Sequence, residues 1–354
     1  MPQLFRSTEL DPFARGREFG LAHAQQIKAN IKIYTQMFAR LGGDETSNLI
    51  AGGECLAVTA QFAPPLLQEM RGMAAGAGVD AALIGMLNAR TEILAMLNAP
   101  QRSECSAITY TPADEHSPLA VQTWDWFYGL RDGWLVWEIP FVDGSITKTM
   151  TEYGIVGKAG LNTRGLGLLF TILHHTSDGR KIGVPVHVAA RWVLDSAPNI
   201  ARAAQMLAAA DVSASSSINL VSYEDGVAAA MTVELFPGGP GFVLPDDKGF
   251  IVHTNHFIAS MARQQDTEPK ANPDTLLRHA YLQRKLWALG DVSIEKILAI
   301  MASHSGGEGA VCCHHNPHVA ANEQYETLAT LMLDVAAGAL KVMRGGPCGR
   351  LHSP

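Results

Sequence analysis

Charge and cysteine are scarce in this chain, and each shortage closes off a class of function. Only 17% of its 354 residues are charged, 27 Lys and Arg against 34 Asp and Glu, and the formal charge is −7. No basic cluster offsets that balance, so neither a nucleic acid nor an anionic membrane surface is an expected partner. Five cysteines (Cys55, Cys105, Cys312, Cys313 and Cys348) are too few and too scattered for a disulfide framework, which points to a reducing, cytoplasmic compartment. No apolar run approaches the ~20 residues that span a bilayer. The opening Met1-Pro2-Gln3-Leu4-Phe5-Arg6 lacks the charged-then-apolar order of a signal peptide. Nucleotide and serine-hydrolase signatures are missing too. No GxGxxG or GxxxxGK follows a strand, Gly160, Gly165 and Gly167 form no phosphate cradle, and no GxSxG elbow occurs. No cofactor is therefore expected. What is abundant is apolar side chain, 47%, ample for a globular core.

The first hundred residues read as helix. Asp11-Pro12 places an N-cap before a proline at the first helical position. Phe19, Ile27, Ile31, Tyr34, Met37 and Leu41 then recur at mostly helical spacing until Gly42-Gly43. A second helix starts at Pro64-Pro65, and Asp80 caps a third that ends before Pro100. Beyond residue 105 the period changes. Segments 106–111, 119–127, 134–142, 145–156 and 161–173 are short and β-rich, with Gly, Pro and Asp between them. Helices are expected over 185–194, 198–209, 273–289 and 293–304, a strand over 250–254, and hairpins over 217–236 and 327–343. Strands, helices, strands and helices in that order make an α+β chain with two sheets sandwiched between helical layers.

The junction between the two halves is Arg102-Ser103-Glu104-Cys105-Ser106. A Cys-Ser step there suggests a hidden N-terminus. If the Glu104–Cys105 bond is cut, one residue carries both a thiol and a free α-amine with a reference pKa of roughly 7.7–8.0. Such an amine serves as the thiol's own general base, directly or through a water. The plain alternative is a buried, inert cysteine.

Three further places could join it. Asp125, between Trp124 and Trp126 on an apolar strand, is a costly place for a charge unless a cation such as the Cys105 ammonium faces it; otherwise it is an edge carboxylate. Asn255, in His253-Thr254-Asn255-His256-Phe257, could donate an amide N–H to an oxyanion or cap the following turn. His253, His256 and Phe257 could line a pocket beside it. Arg278 reads from its own surroundings as a helical arginine. Cys312-Cys313-His314-His315 tempts a metal reading, but four adjacent residues of an extended chain alternate faces and cannot wrap one ion. No metal site is expected there.

Together these pieces resemble peptidase family C45 of the N-terminal-nucleophile enzymes. The resemblance rests on Cys105 with Trp124-Asp125-Trp126 after it, on Tyr153-Gly154-Ile155-Val156-Gly157-Lys158-Ala159-Gly160-Leu161-Asn162, and on Gly183-Val184-Pro185 with Arg191. The more specific signals are the His253–Phe257 run and the terminal Gly345-Gly346-Pro347-Cys348.

The resemblance implies a four-layer αββα sandwich made as one precursor, cut between Glu104 and Cys105 into a helical α chain (1–104) and a catalytic β chain (105–354) that stay together. It makes Cys105 the nucleophile, Asp125 the orienter of its amine and Asn255 the oxyanion donor. Related cysteine amidases keep an arginine near the thiol, and Arg278 takes that place. Their second asparagine has no counterpart in Leu168-Leu169-Phe170-Thr171-Ile172. The implied activity is hydrolysis of a small N-acyl amide through a Cys105 thioester, with Trp124, Trp126, His253, His256 and Phe257 around the substrate. Acyl transfer from acyl-CoA to an amine uses the same residues. A non-catalytic binding protein on the same fold is the reading of another class, and a homo-oligomer is compatible with each.

Overall fold

The computed structural model describes residues 2–98, 105–114, 116–320 and 324–349. Glu104 and the rest of the junction before Cys105 lie outside the described residues. The chain opens with a short strand, β1 (Leu4–Arg6), and then six helices: α1 (Pro12–Ala22), α2 (Ala24–Arg40), α3 (Glu45–Phe62), α4 (Pro64–Ala77), α5 (Ala81–Asn88) and α6 (Arg90–Met96). Asp11, Asp44 and Asp80 cap α1, α3 and α5, each side chain accepting a backbone N–H of the first turn. The helix expected from Asp11 to Gly42 is two helices that break at His23, which leaves helical geometry at φ −127°, ψ 25°.

The second half holds the sheets: β2 (Ser106–Tyr110), β3 (Leu119–Phe127), β4 (Trp134–Pro140), β5 (Ile146–Glu152), β6 (Ala159–Asn162) and β7 (Leu166–Ile172). Two helices, α7 (Val186–Ser196) and α8 (Ile200–Ala208), lead to β8 (Ser216–Glu224), β9 (Val227–Phe236), β10 (Gly239–Val243) and β11 (Phe250–His253). The chain closes with α9 (Glu268–Ala271), α10 (Asp274–Trp287), α11 (Ile294–Met301), β12 (Tyr325–Asp334) and β13 (Ala339–Arg344).

Among the described residues these strands make two sheets, ordered β1-β4-β5-β6-β7-β8-β9-β10 and β11-β2-β3-β12-β13. The sheets face one another across a core that includes Ala107, Trp124, Trp126, Leu161, Leu169, Leu328 and Leu331. Gln122 on β3 joins them by a reciprocal pair, its Nε2 donating to Phe170 O (2.6 Å) and its Oε1 accepting from Phe170 N (3.1 Å). Helices cover the outer faces. Leu282, Leu286, Ile297 and Met301 of α10 and α11 pack on Ile108, Val121, Phe250 and Val252. On the other side α7 and α8 cover Leu166, Leu168 and Phe170, and the N-terminal helices cover Leu135, Trp137 and Ile139.

A buried ion cluster ties the helical layer together. Glu69 of α4 pairs with Arg15 of α1 (2.6 Å) and Arg191 of α7 (2.8 Å), all but closed to solvent. Breaking such a pair by deleting one partner leaves an uncompensated buried charge, which costs about 3–5 kcal/mol. The second half is anchored to the first the same way: Arg90 of α6 pairs with Glu152 of β5 (3.0 Å), and Asn88 of α5 donates to Gly154 O and accepts from Val156 N (both 2.9 Å).

Candidate active site

Cys105 immediately precedes β2, whose antiparallel pairing with β3 sets Ser106 opposite Thr123 and Ala107 opposite Gln122. Strand alternation then sorts the side chains. Cys105 and Ala107 join the core between the sheets, with Trp124 and Trp126, whereas Ile108 packs under α10 and α11. Asp125 is fully buried and Cys105 is 4% exposed. The Asp125 backbone N–H donates to the Cys105 sulfur, and the carboxylate's charge also acts on it. Burial is the main cause that pushes the Cys105 thiol up to about 11, with the Asp125 charge adding to it; the Asp125 N–H and the charges of Lys158 and Arg278 oppose. In the uncut chain the sulfur is therefore a thiol at neutral pH, and a weak nucleophile.

Arg278, from the first turns of α10, binds the pieces together. Its Nη1 donates to Cys105 O (2.9 Å) and Ser106 Oγ (3.1 Å), and its Nη2 donates to Asn255 Oδ1 (3.1 Å). Asp274, one turn back, accepts from its Nε and Nη2 at 3.3 Å each. Asn255 follows β11. Its backbone N–H donates to Thr275 Oγ1 (2.9 Å), and its Nδ2 donates to Ile172 O (3.0 Å) at the end of β7. Because the guanidinium holds Oδ1, the amide cannot flip, and its nitrogen stays on the side away from Arg278. Cys105, Asp125, Asn255 and Arg278 are thus brought to one place, although more than 170 positions separate the first from the last along the chain.

The other residues read from the sequence make contacts of their own around these four. His253 is buried in a polar network: Nε2 lies 2.8 Å from Glu234 Oε1, and Nδ1 lies 2.8 Å from Thr254 O and 3.2 Å from Ser217 Oγ. His256 Nδ1 sits 3.1 Å from both Thr254 Oγ1 and Thr275 Oγ1, and burial is the main cause that lowers its pKa to about 3. Phe257 packs with Leu173, Phe236 and Ala262. These three brace the strand end that carries Asn255. Thr171 donates its hydroxyl to Thr254 O (2.6 Å).

Trp124 and Trp126 do border the Cys105 region, as faces for cations. Lys158 Nζ lies 4.0 Å above the Trp124 ring and the Arg90 guanidinium 4.3 Å above Trp126, whose Nε1 donates to Tyr34 Oη (2.9 Å). Lys158, within the Tyr153–Asn162 run, carries no role that its sequence neighbours reveal. It is buried and ion-paired with Glu152 (3.3 Å), and its pKa falls to about 7, first through burial and then through the Arg90 charge. One signal was available: a lysine between glycine and alanine, in a stretch that otherwise reads as fully apolar, has to be buried with a partner. Around the Cys312–His315 stretch the side chains diverge. Cys313 donates its thiol to Glu308 O (3.2 Å), and His315 stacks on Tyr128 with centroids 4.3 Å apart, whereas Cys312 and His314 share another face.

Known proteins resemble this chain to different extents. The family model for acyl-coenzyme A:6-aminopenicillanic acid acyl-transferase matches residues 113–348, a span that holds Asp125, Lys158, Asn255 and Arg278 and starts after Cys105. A relative from Emericella nidulans, the 40 kDa form of acyl-coenzyme A:6-aminopenicillanic-acid-acyltransferase, is 29% identical over 225 residues. That alignment takes in 63% of this chain and 60% of the relative, so the chain spans about three fifths of the relative's length. Among solved structures, penicillin V acylase from Agrobacterium tumefaciens aligns with 68% of this chain and 83% of its own, at 14% identity and a TM-score of 0.40. With its family model matched over most of its length, the chain belongs to the acyl-coenzyme A:6-aminopenicillanic acid acyl-transferase family.

Proposed function

We propose that this chain is an N-terminal-nucleophile cysteine amidase of the αββα class, working in the cytoplasm on a small N-acyl substrate and without a cofactor. The observation that carries the reading is the single guanidinium of Arg278, which spans the Cys105 carbonyl and the Asn255 amide while the backbone N–H of Asp125 meets the thiol. A nucleophile, a charged orienter and an amide donor gathered around one guanidinium are what acyl transfer through a thioester needs.

The precursor activates itself. The Cys105 sulfur attacks the Glu104 carbonyl carbon, the peptide nitrogen leaves as the Cys105 α-amine, and water cleaves the resulting thioester. The helical chain, 1–104, stays attached through the Arg90–Glu152 pair and the Asn88 bonds to Gly154 and Val156. In turnover the α-amine takes the thiol proton and the sulfur attacks the substrate carbonyl. The Asn255 amide donates to the oxygen that becomes negative. The ammonium returns its proton to the leaving nitrogen as the carbon–nitrogen bond breaks. Water, deprotonated by the same amine, then releases the acid and restores the thiol. Lys158 contributes a positive charge near the sulfur, favouring thiolate.

Transfer of the acyl group to an amine instead of water is the second reading, favoured by membership of a family described as acyl-transferases. Incubating processed protein with N-acyl amides, and separately with acyl-CoA plus an amine, tests both. Free acid from the amide supports the amidase; a new amide without free acid replaces it with the transferase; neither product from any acyl donor contradicts both.

A further inference from the structure

Next to β12, three separate segments converge on a group of four metal-ligating side chains. His304 follows α11, Cys312 and His314 lie on one face of the extended stretch before β12, and Cys348 comes from the tail after β13. Their donor atoms all lie within 4.8 Å of one another. His314 Nε2 is 3.0 Å from His304 Nε2, 3.8 Å from Cys312 Sγ and 3.5 Å from Cys348 Sγ. With Zn–S of about 2.3 Å and Zn–N of about 2.0–2.1 Å, a tetrahedron has N···N edges of about 3.3 Å and S···N edges of about 3.6 Å. The three measured edges fall on either side of those values by a few tenths of an ångström. The alternation that rules out four adjacent residues as one ligand set is what puts Cys312 and His314 together, two positions apart. The remaining two ligands come from elsewhere in the fold. Gly346 lets the tail pass this close: a Cβ there would sit 2.3 Å from Cys312 Sγ.

We propose that His304, Cys312, His314 and Cys348 form a tetrahedral site for one zinc ion. Two sulfur and two nitrogen donors match the soft-to-borderline character of zinc, and four protein ligands leave no open position, so the site is structural rather than catalytic. It joins the end of α11, the stretch that leads into β12 and the tail that follows β13. β12 pairs with β3, where Thr327 stands opposite Asp125. The ion therefore clamps the part of the five-stranded sheet that holds the carboxylate proposed to orient the nucleophile. His304 is exposed, which gives the ion a way in.

The test uses the full-length protein, reduced and purified, and in parallel its Cys105→Ala variant, so that the active-site thiol cannot be the ligand. The metal-free protein is titrated with Zn2+ and with Co2+. One equivalent of either should bind. Co2+ should show the intense visible bands of a tetrahedral ion together with a thiolate charge-transfer band, and Zn2+ should raise the Tm. Cys348→Ser and His304→Gln should each weaken zinc binding by more than about 100-fold and abolish the rise in Tm. His304 is at the surface, so its variant tests the site without a folding defect. Absence of a bound equivalent in fully reduced wild-type protein overturns the proposal. So does a weak, octahedral Co2+ spectrum, a Cys312–Cys348 disulfide that persists under those reducing conditions, or zinc binding unchanged in both variants.

Discussion

At the scale of the residue, the side-chain amide of Asn255 is held at both its oxygen and its nitrogen. Arg278 holds its oxygen and Ile172 takes one of its N–H bonds, so the side chain is both a strut between β7 and β11 and the proposed donor to the oxyanion. A strut and a donor fail differently. Asn255→Ala should lower kcat by about 10²–10³ with little change in KM, because the charge it meets exists mainly in the transition state. A turn-capping role alone would cost about 1 kcal/mol of stability and leave kcat nearly intact. A thermal melt beside one kinetic trace, on protein already processed, separates the two.

Lys158 calls for a different readout, since its proposed part is its charge. Lys158→Met keeps the volume and removes the cation, which should move the acidic limb of the kcat/KM profile upward by about one unit. Its own pKa, near 7, makes its charge strongest below neutrality, so the deficit should be largest at low pH and shrink as pH rises. A uniform loss at every pH would assign Lys158 to packing alone.

At the scale of the element, the sequence was most legible where a period or a cap was strong. The strands at 119–127 and 327–334 and the helices of α10 and α11 come out close to their expected bounds because their apolar positions face one layer. α3 was missed because it makes its contact through small residues rather than an apolar stripe: Gly52 meets α5 so closely that a Cβ would lie 2.0 Å from Ala82 O. β1 has three residues and β10 reads Gly239-Pro240-Gly241, so neither carries a strand signature of its own. Cys105, Asp125, Asn255 and Arg278 could be named individually, but their contact could not, since it depends on how β2, β11 and α10 pack. Lys158 showed no motif, and the zinc-type cluster stayed hidden because Cys348 comes from the other side of a hairpin.

At the scale of the whole molecule, burial of neutral histidines predicts how the fold responds to acid. His23, lodged among Phe5, Phe19 and Tyr153, has its pKa lowered by burial to about 4. The folded form then binds fewer protons than the unfolded chain between pH ~6.5 and ~4, so this stabilisation is complete above ~6.5 and lost as pH falls. Glu92, raised by burial to about 7, works in the opposite direction, so the net slope mixes signs and a single variant is the cleaner probe. In the unprocessed Cys105→Ala background, His23→Phe should cut the stability lost between pH ~7 and ~4.5 by roughly 2 kcal/mol, read from urea unfolding at both ends. An unchanged difference would mean that His23 charges without cost.

The whole molecule is also where the proposed activation is visible, since it turns one chain into two. Intact-mass analysis of the purified protein beside its Cys105→Ala variant is the most direct measurement. Self-cleavage predicts two masses for the wild type, the larger beginning at Cys105 with a free amine, and a single full-length mass for the variant. A wild-type chain that stays whole while it hydrolyses amides, or a variant cut at the same bond, would contradict an N-terminal nucleophile at Cys105.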